Sequence, residues 1–208
     1  MLFYRITRPI VTSICRVLWR VRVSDGANLP RDGGFILAPS HRSIFDVPFS
    51  AYITKRNVRF LAKEELFRKP ALNWLFTKLG AVQVERGTAD RGALRVLETA
   101  LREGSPVALF PEGTRASGPE IAPLFDGAAY LAVKLGVPIV PVGVGGSEQI
   151  LAKGKILPRL HRVAVVVGTP VFPPPVEGRS RRSATTKMTA ELTAELQHVF
   201  SEAVRLAG

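Results

Sequence analysis

The chain has a single cysteine, Cys15, in 208 residues. An internal disulfide is excluded, and a metal site built on thiolates goes with it. Cys15 lies in an apolar N-terminal stretch with no histidine near it in sequence. It reads as small buried filler, not as a nucleophile, and one cysteine suits a reducing compartment. No run approaches the roughly 18 uninterrupted apolar residues of a spanning helix. The N-terminus also fails as a cleaved secretory leader. Arg5, Arg8, Arg16 and Arg20 are spread through it, and no small-residue cleavage site follows. There is no internal repeat, and nothing resembles a disordered composition. Acidic residues are scarce, 17 against 29 basic ones, which leaves a net charge of +12 and a pI near 10.7. This excess favours an anionic partner: an acidic lipid surface, an acidic carrier protein, a phosphorylated cofactor or nucleic acid. The arginines are dispersed and lack an aromatic-rich basic stretch, which speaks against nucleic acid.

What is present fits one globular domain. Apolar residues make up 46% of the chain, enough for a substantial core. Residues 2–21 form an amphipathic helix on a wheel of about 100° per residue. Phe3, Ile6, Ile10, Ile14, Val17, Leu18 and Val21 share one sector, and Arg5, Arg8, Thr12, Arg16 and Arg20 share the other. Pro9 should kink or divide this helix. Trp19, toward the polar side, suits a lipid headgroup boundary. The reading is an N-terminal membrane-interface helix over residues 1–24, followed by one domain over 25–208. The competing reading is a terminal helix packed on the core with its arginines in water.

Beyond it, short apolar runs alternate with helical patterns. Strands are expected at Gly34–Pro39, Val58–Ala62, Ala81–Glu85, Val107–Phe110, Pro138–Val144 and Val163–Val167. Helices are expected at Asp46–Thr54, Glu64–Leu79, Ala89–Glu103, Phe125–Leu135 and Thr185–Leu206. The alternation predicts an α/β domain with a largely parallel central sheet flanked by helices. Pro170–Arg182 reads as an extended linker into the last helix. Met188, Leu192, Leu196, Val199 and Ala203 are the stripe by which that helix docks.

His41 and Asp46 are the first candidates for chemistry. An imidazole that serves as general base needs a carboxylate to orient it. Five residues apart in one helix, the two would point about 140° away from each other. They meet only if His41 lies on the turn after the Gly34–Pro39 strand and Asp46 opens the next helix. Ser43 is a good N-cap for it, and Pro48 is tolerated in a first turn. The helix would then bring free N–H groups to developing negative charge. Ser43 as a covalent nucleophile is less favoured, because it lacks the strained Gly-x-Ser-x-Gly setting. His161 and His198 have no such companions and read as surface residues.

The second candidate is Phe110-Pro111-Glu112-Gly113-Thr114-Arg115. Gly113 permits the positive φ that lets backbone N–H groups converge, Thr114 adds a hydroxyl, and Arg115 can grip a phosphate through two bonds. Glu112 would repel a phosphate, and its expected partner is Arg115 or a substrate hydroxyl. Lys63 and Arg86 stand at strand ends, where ligands bind in open α/β sheets. The apolar segment Leu66–Leu79 is either core or the wall of a groove for a fatty chain.

Together these blocks resemble the 1-acylglycerol-3-phosphate (lysophosphatidic acid) acyltransferase family of phospholipid synthesis. His41-Arg42-Ser43-Ile44-Phe45-Asp46 is similar to its H-x-x-x-x-D motif, and Lys63-x-Glu65-Leu66 through Gly80 to Arg86 to its second motif. Phe110–Arg115 is similar to the third and Val137–Val142 to the fourth, in the family's order and spacing. The resemblance implies His41 as general base and Asp46 as its orienting partner. It implies Glu112, Gly113, Thr114 and Arg115 as binders of the glycerol phosphate, assisted by Lys63 and Arg86. It implies an acyl thioester donor, on coenzyme A or acyl carrier protein, a lysophospholipid acceptor, and neither metal nor other cofactor. It further implies a peripheral protein on the cytoplasmic face of an anionic membrane. Phe125-Asp126-Gly127 departs from the family, where many relatives place a lysine. Glycerol 3-phosphate or another lysolipid as acceptor, a thioesterase using water, and a non-catalytic phospholipid-binding module are the alternatives.

Overall fold

The computed structural model describes residues 2–84, 91–151, 157–175 and 180–208. Seven strands form one sheet: β1 (Arg22–Ser24), β2 (Ile36–Pro39), β3 (Arg59–Lys63), β4 (Ala81–Val84), β5 (Val107–Ala108), β6 (Ile139–Gly145) and β7 (Ala164–Val167). Their order across the sheet is β1-β7-β6-β2-β5-β3-β4. All neighbours pair in parallel except β6 with β7. The six expected strands are all present. The one missed, β1, is a three-residue edge strand, too short for its alternation to register.

Helices cover both faces: α1 (Leu2–Leu18), α2 (Asp46–Tyr52), α3 (Pro70–Lys78), α4 (Arg91–Arg102), α5 (Gly127–Leu135), α6 (Ser147–Ile150) and α7 (Arg181–Ala207). Every residue of β2, β6 and β7 is buried, as uninterrupted apolar runs require when both faces of a sheet are covered. Alternate residues of β2 serve different cores. Leu37 joins Phe49, Trp19 and Val142 on one face, while Ile36 and Ala38 join Leu97, Leu131 and Met188 on the other.

α7 closes the second face. Ser180 caps it, accepting from the Ser183 N–H at 3.2 Å, so the helix starts four residues before the expected Thr185. Its stripe of Met188, Leu192, Leu196, Val199 and Ala203 is buried, as expected of docking. The helix lies so close to β6 that a Cβ at Gly143 would stand 2.1 Å from the Val199 carbonyl oxygen. Only glycine permits that approach.

Three expectations need correction. The Glu64–Leu79 segment is not one helix. A 3-10 turn at Glu64–Phe67 gives way to α3 with Pro70 at its first position. A proline there cannot accept a preceding turn of helix, and it forces Lys69 into an extended conformation. No residue of α3 is fully buried, and it reaches the core through the half-buried Phe76. Pro9 does not divide α1, which runs on through it to Leu18.

The third correction concerns how α1 is mounted. Cys15 and Trp19 are buried, and Arg8 Nε donates to the Thr54 carbonyl at 2.7 Å. Trp19 is thus no headgroup anchor. Its ring packs on Phe45 and Phe49, and its Nε1–H donates to the Arg159 carbonyl at 3.1 Å. The more polar side of α1 therefore faces the protein. Ile6, Ile10, Ile14 and Val17 point away from it, each 47–75% exposed. No helix among the described residues is long and apolar enough to cross a membrane.

Candidate active site

β2 ends at Pro39 in the middle of the sheet, and the chain reverses at once into α2. His41 is on the reversal and Asp46 is the first residue of the helix, as the spacing requires. His41 Nδ1 lies 3.2 Å from Asp46 Oδ2. The same oxygen accepts the backbone N–H groups of Arg42 and Ser43, each at 2.6 Å. Asp46 is fully buried, and its Oδ1 has no hydrogen-bond partner among the described residues. An oxygen that already accepts two N–H groups asks for a third donor, so the proton of a neutral ring belongs on Nδ1. Nε2 is left with its lone pair, the state of a general base. The ring is 4.2 Å from that of Phe110, centroid to centroid, which fixes its plane.

The capping differs from expectation. Ser43 is not the N-cap. Its hydroxyl sits 3.5 Å from the Phe45 N–H and donates to the Leu151 carbonyl at 3.4 Å, while Asp46 ties down the loop from within the helix. Several of the donors around the helix start are already taken. The N–H groups of Arg42, Ser43, Phe45 and Asp46 all have acceptors inside the loop, and Pro48 has none to give.

The second block lies directly against the first. Ala116 N–H donates to the His41 carbonyl at 2.9 Å, and His41 N–H donates to Glu112 Oε1 at 2.8 Å. Gly113 has φ +68, and a Cβ there would stand 2.7 Å from the Phe125 ring. This left-handed residue turns the chain so that Gly113, Thr114 and Arg115 are exposed beside the histidine loop.

Glu112 is placed otherwise than expected. It is 3% exposed, and its partner is Arg42, not Arg115. Arg42 Nη1 bonds both carboxylate oxygens, at 3.1 and 2.8 Å, and also the His41 carbonyl. Oε2 accepts the Ala122 N–H as well. Arg42 Nη2 donates to the Glu120 carbonyl at 2.7 Å, and the guanidinium lies 4.5 Å from the centroid of the Phe200 ring on α7. A buried ion pair therefore joins the two blocks. Arg42 was invisible as a functional residue in sequence, because its role depends on a carboxylate 70 positions away.

Lys63 ends β3 opposite Val84, at the same end of the parallel strands as His41. Its backbone alone is described, and Arg86 lies outside the described residues. Asp126, where the resemblance implied a lysine, accepts from Thr189 Oγ1 on α7 at 2.7 Å. His198 is exposed, and His161 is near neither block in sequence and bonds the Arg162 carbonyl.

This arrangement sets a candidate base next to a turn suited to an anion, and comparisons with known proteins give the family. The chain is 29% identical over 186 residues to a Bacillus subtilis 1-acyl-sn-glycerol-3-phosphate acyltransferase, covering 88% of this chain and 90% of that one. It is 31% identical over 141 residues to a Chlamydomonas reinhardtii enzyme of the same name, covering 66% of this chain and 42% of that longer one. The crystal structure of the Thermotoga maritima 1-acyl-sn-glycerophosphate acyltransferase PlsC superposes with a TM-score of 0.66 at 27% identity, covering 89% of this chain and 79% of that one. The acyltransferase family model matches residues 20–145, which span β1 to the end of β6 and hold both blocks of the site, so this chain belongs to the acyltransferase family and is an acyltransferase.

Proposed function

We propose that the protein transfers a fatty acyl group from a thioester to the free hydroxyl of 1-acylglycerol 3-phosphate, giving phosphatidic acid. The observation that carries the reading is the direct hydrogen bonding between the His41 loop and the Glu112–Ala116 turn. A base and an anion site held by shared bonds can address two ends of one small acceptor. Thr114 and Arg115, with Lys63 and Arg86 assisting, hold the acceptor phosphate beside Gly113. His41 Nε2 takes the hydroxyl proton as the acceptor oxygen attacks the thioester carbonyl. Asp46 keeps the ring in the Nδ1–H tautomer and stabilises the imidazolium. The tetrahedral intermediate collapses, the carbon–sulfur bond breaks, and the leaving thiolate recovers the proton from Nε2. Glu112 holds the loops together, since its oxygens are already taken by protein donors. The thioester is carried by coenzyme A or acyl carrier protein, and the chemistry needs no covalent acyl-enzyme.

The outward apolar face of α1 supports work at a membrane surface, where both the acceptor and the product reside. Four apolar side chains, Ile6, Ile10, Ile14 and Val17, held in water along one face are unfavourable unless something apolar covers them. The site is the peripheral, cytoplasmic side of an anionic bilayer. The test is incubation of purified protein with palmitoyl and oleoyl thioesters against lysophosphatidate, glycerol 3-phosphate and other lysolipids, with positional analysis of products. Lysophosphatidate should be the preferred acceptor. His41→Ala should lower turnover by about 10²–10⁴ while the protein stays folded. Near-normal turnover of that variant refutes the base assignment.

A further inference from the structure

The segment from Leu157 to Arg162 has no part in the chemistry above, yet it is built as a surface. Leu157 is 82% and Leu160 76% exposed. They do not dangle from a loose loop. Arg159 N–H donates to the Ile150 carbonyl at 2.8 Å, and the Arg159 carbonyl accepts the Trp19 indole N–H at 3.1 Å. Val163 N–H donates to the Trp19 carbonyl at 3.1 Å, and Arg22 N–H donates to the Val163 carbonyl at 3.0 Å. The segment is therefore pinned to the C-terminal end of α1, with its leucines held outward. Between the two lies a cleft of about 250 Å³, lined by Val17, Leu18, Arg20, Leu160, His161 and Arg162.

The charged side chains that line this cleft, Arg20 and Arg162, are both basic. No Asp or Glu occurs from Met1 to Ser24, nor from Gln149 to Val176. Arg20 holds φ +47, a left-handed conformation that costs a non-glycine residue, and it is exposed. Glycine would end the helix there more cheaply. The strained turn sends Trp19 into the core and the guanidinium outward.

The cleft is also at the working end of the sheet. Gly145, just beyond the β6 residues that pair with β2, is opposite Ala164, and Ala164 is opposite Arg22. This places Arg22 level with the reversal that carries His41, three strands away, or about 14 Å across the sheet.

We propose that the Leu157–Arg162 segment and the C-terminal end of α1 form a second bilayer-docking point, which inserts leucines and holds lipid phosphate on Arg20 and Arg162. The proposal rests on the membrane-surface reading given above and adds a contact to it. A single helix lying in an interface leaves the domain free to roll about the helix axis. A second insertion point off that axis removes the freedom and turns the His41 edge toward the lipid. An acidic protein is the lesser match. The apolar stripe continues from the cleft along α1 through Ile14, Ile10 and Ile6, about 16 Å, with every one of these side chains open. A lipid surface covers a line of that length, and the same cationic flank binds its phosphates.

The experiment is flotation of the full chain, without substrates, on vesicles of phosphatidylcholine and of phosphatidylcholine with phosphatidylglycerol. Leu157→Ser/Leu160→Ser should weaken partition to both by about tenfold or more. Arg20→Gly should keep or raise the melting temperature and lower the preference for the anionic vesicle by about fivefold. Turnover of a water-soluble short-chain acceptor should be unchanged in the double variant, which separates docking from the acyl-transfer assignment. Undiminished partition of the double variant overturns the proposal, as does an unchanged anionic preference in Arg20→Gly. Loss of acyl carrier protein binding with vesicle binding intact overturns it too, and assigns the face to a protein.

Discussion

Replacement of Arg42 by methionine removes one member of an ion pair whose side chains are 2% and 0% exposed. Methionine fills much of the volume, so the loss is chiefly electrostatic. Glu112 keeps the N–H groups of His41 and Ala122 but loses the guanidinium at 2.8 and 3.1 Å. Leaving a buried charge without its counter-charge costs about 3–5 kcal/mol. The carbonyls of His41 and Glu120 also lose their Arg42 donor, within the same range. For a chain of this size each kcal/mol lowers the melting temperature by about 2–4 °C, so the expected drop is roughly 6–20 °C. Urea denaturation of the single variant, of Glu112→Leu and of the double variant closes a cycle. The double variant should be less destabilised than the two single losses added together, by about 2 kcal/mol or more, because neither charge is then left alone. Turnover should fall in Arg42→Met with KM changed less, since the clamp positions His41 and does not itself touch substrate. A loss below about 1 kcal/mol with unchanged turnover would refute the assignment of this pair as the joint between the loops.

Asp46→Asn keeps an acceptor for the loop N–H groups but no longer fixes the ring tautomer, so turnover should fall about 10²–10⁴ with acceptor affinity retained in equilibrium binding. Gly143→Ala drives a methyl into the Val199 carbonyl and should destabilise by about 1–3 kcal/mol in chemical denaturation, or more if α7 cannot shift. Glu98 is bonded to Lys134 at 2.6 Å and Arg102 at 3.0 Å, and these two cations, Lys134 first, hold its carboxyl below the ordinary range. Because the folded value is lowered, its contribution to stability is complete at neutral pH and is lost as pH falls through the ordinary carboxylate range to that lower value. Glu98→Gln should therefore be the less stable protein at neutral pH, with the difference shrinking as pH falls through and below the ordinary carboxylate range; a difference that stays constant on acidification would contradict the pairing.

The elements that sequence placed well are those whose signal is local. β2, β6 and β7 are apolar runs with turns at both ends, and buried strands have no other pattern. The His41–Asp46 contact was legible because a five-residue spacing leaves only a loop-to-helix boundary as a solution. The break at Pro70 was legible too, and the apolar content of Leu66–Leu79 outweighed it in the reading. Trp19 was misplaced because the more polar side of the helix was taken to face headgroups, whereas that side packs on the domain. Here Cys15, Trp19 and Arg8 bind the domain, and the isoleucines do not. The Glu112 role was beyond reach for a different reason. Arg42, Ala122 and the His41 N–H converge on it only after distant segments fold together, and nothing in Phe110–Arg115 alone separates a structural carboxylate from a substrate contact.

The resting place of the Arg42 side chain on Phe200 has a consequence for biosynthesis. The guanidinium acquires its aromatic support from a helix synthesised more than 150 codons after the histidine. A nascent polypeptide has its acid–base residues early but lacks the architecture that aligns them until α7 has been made. Termination before α7 should then yield inert fragments, so such an interrupted message would not release a weakly active enzyme among the lipids.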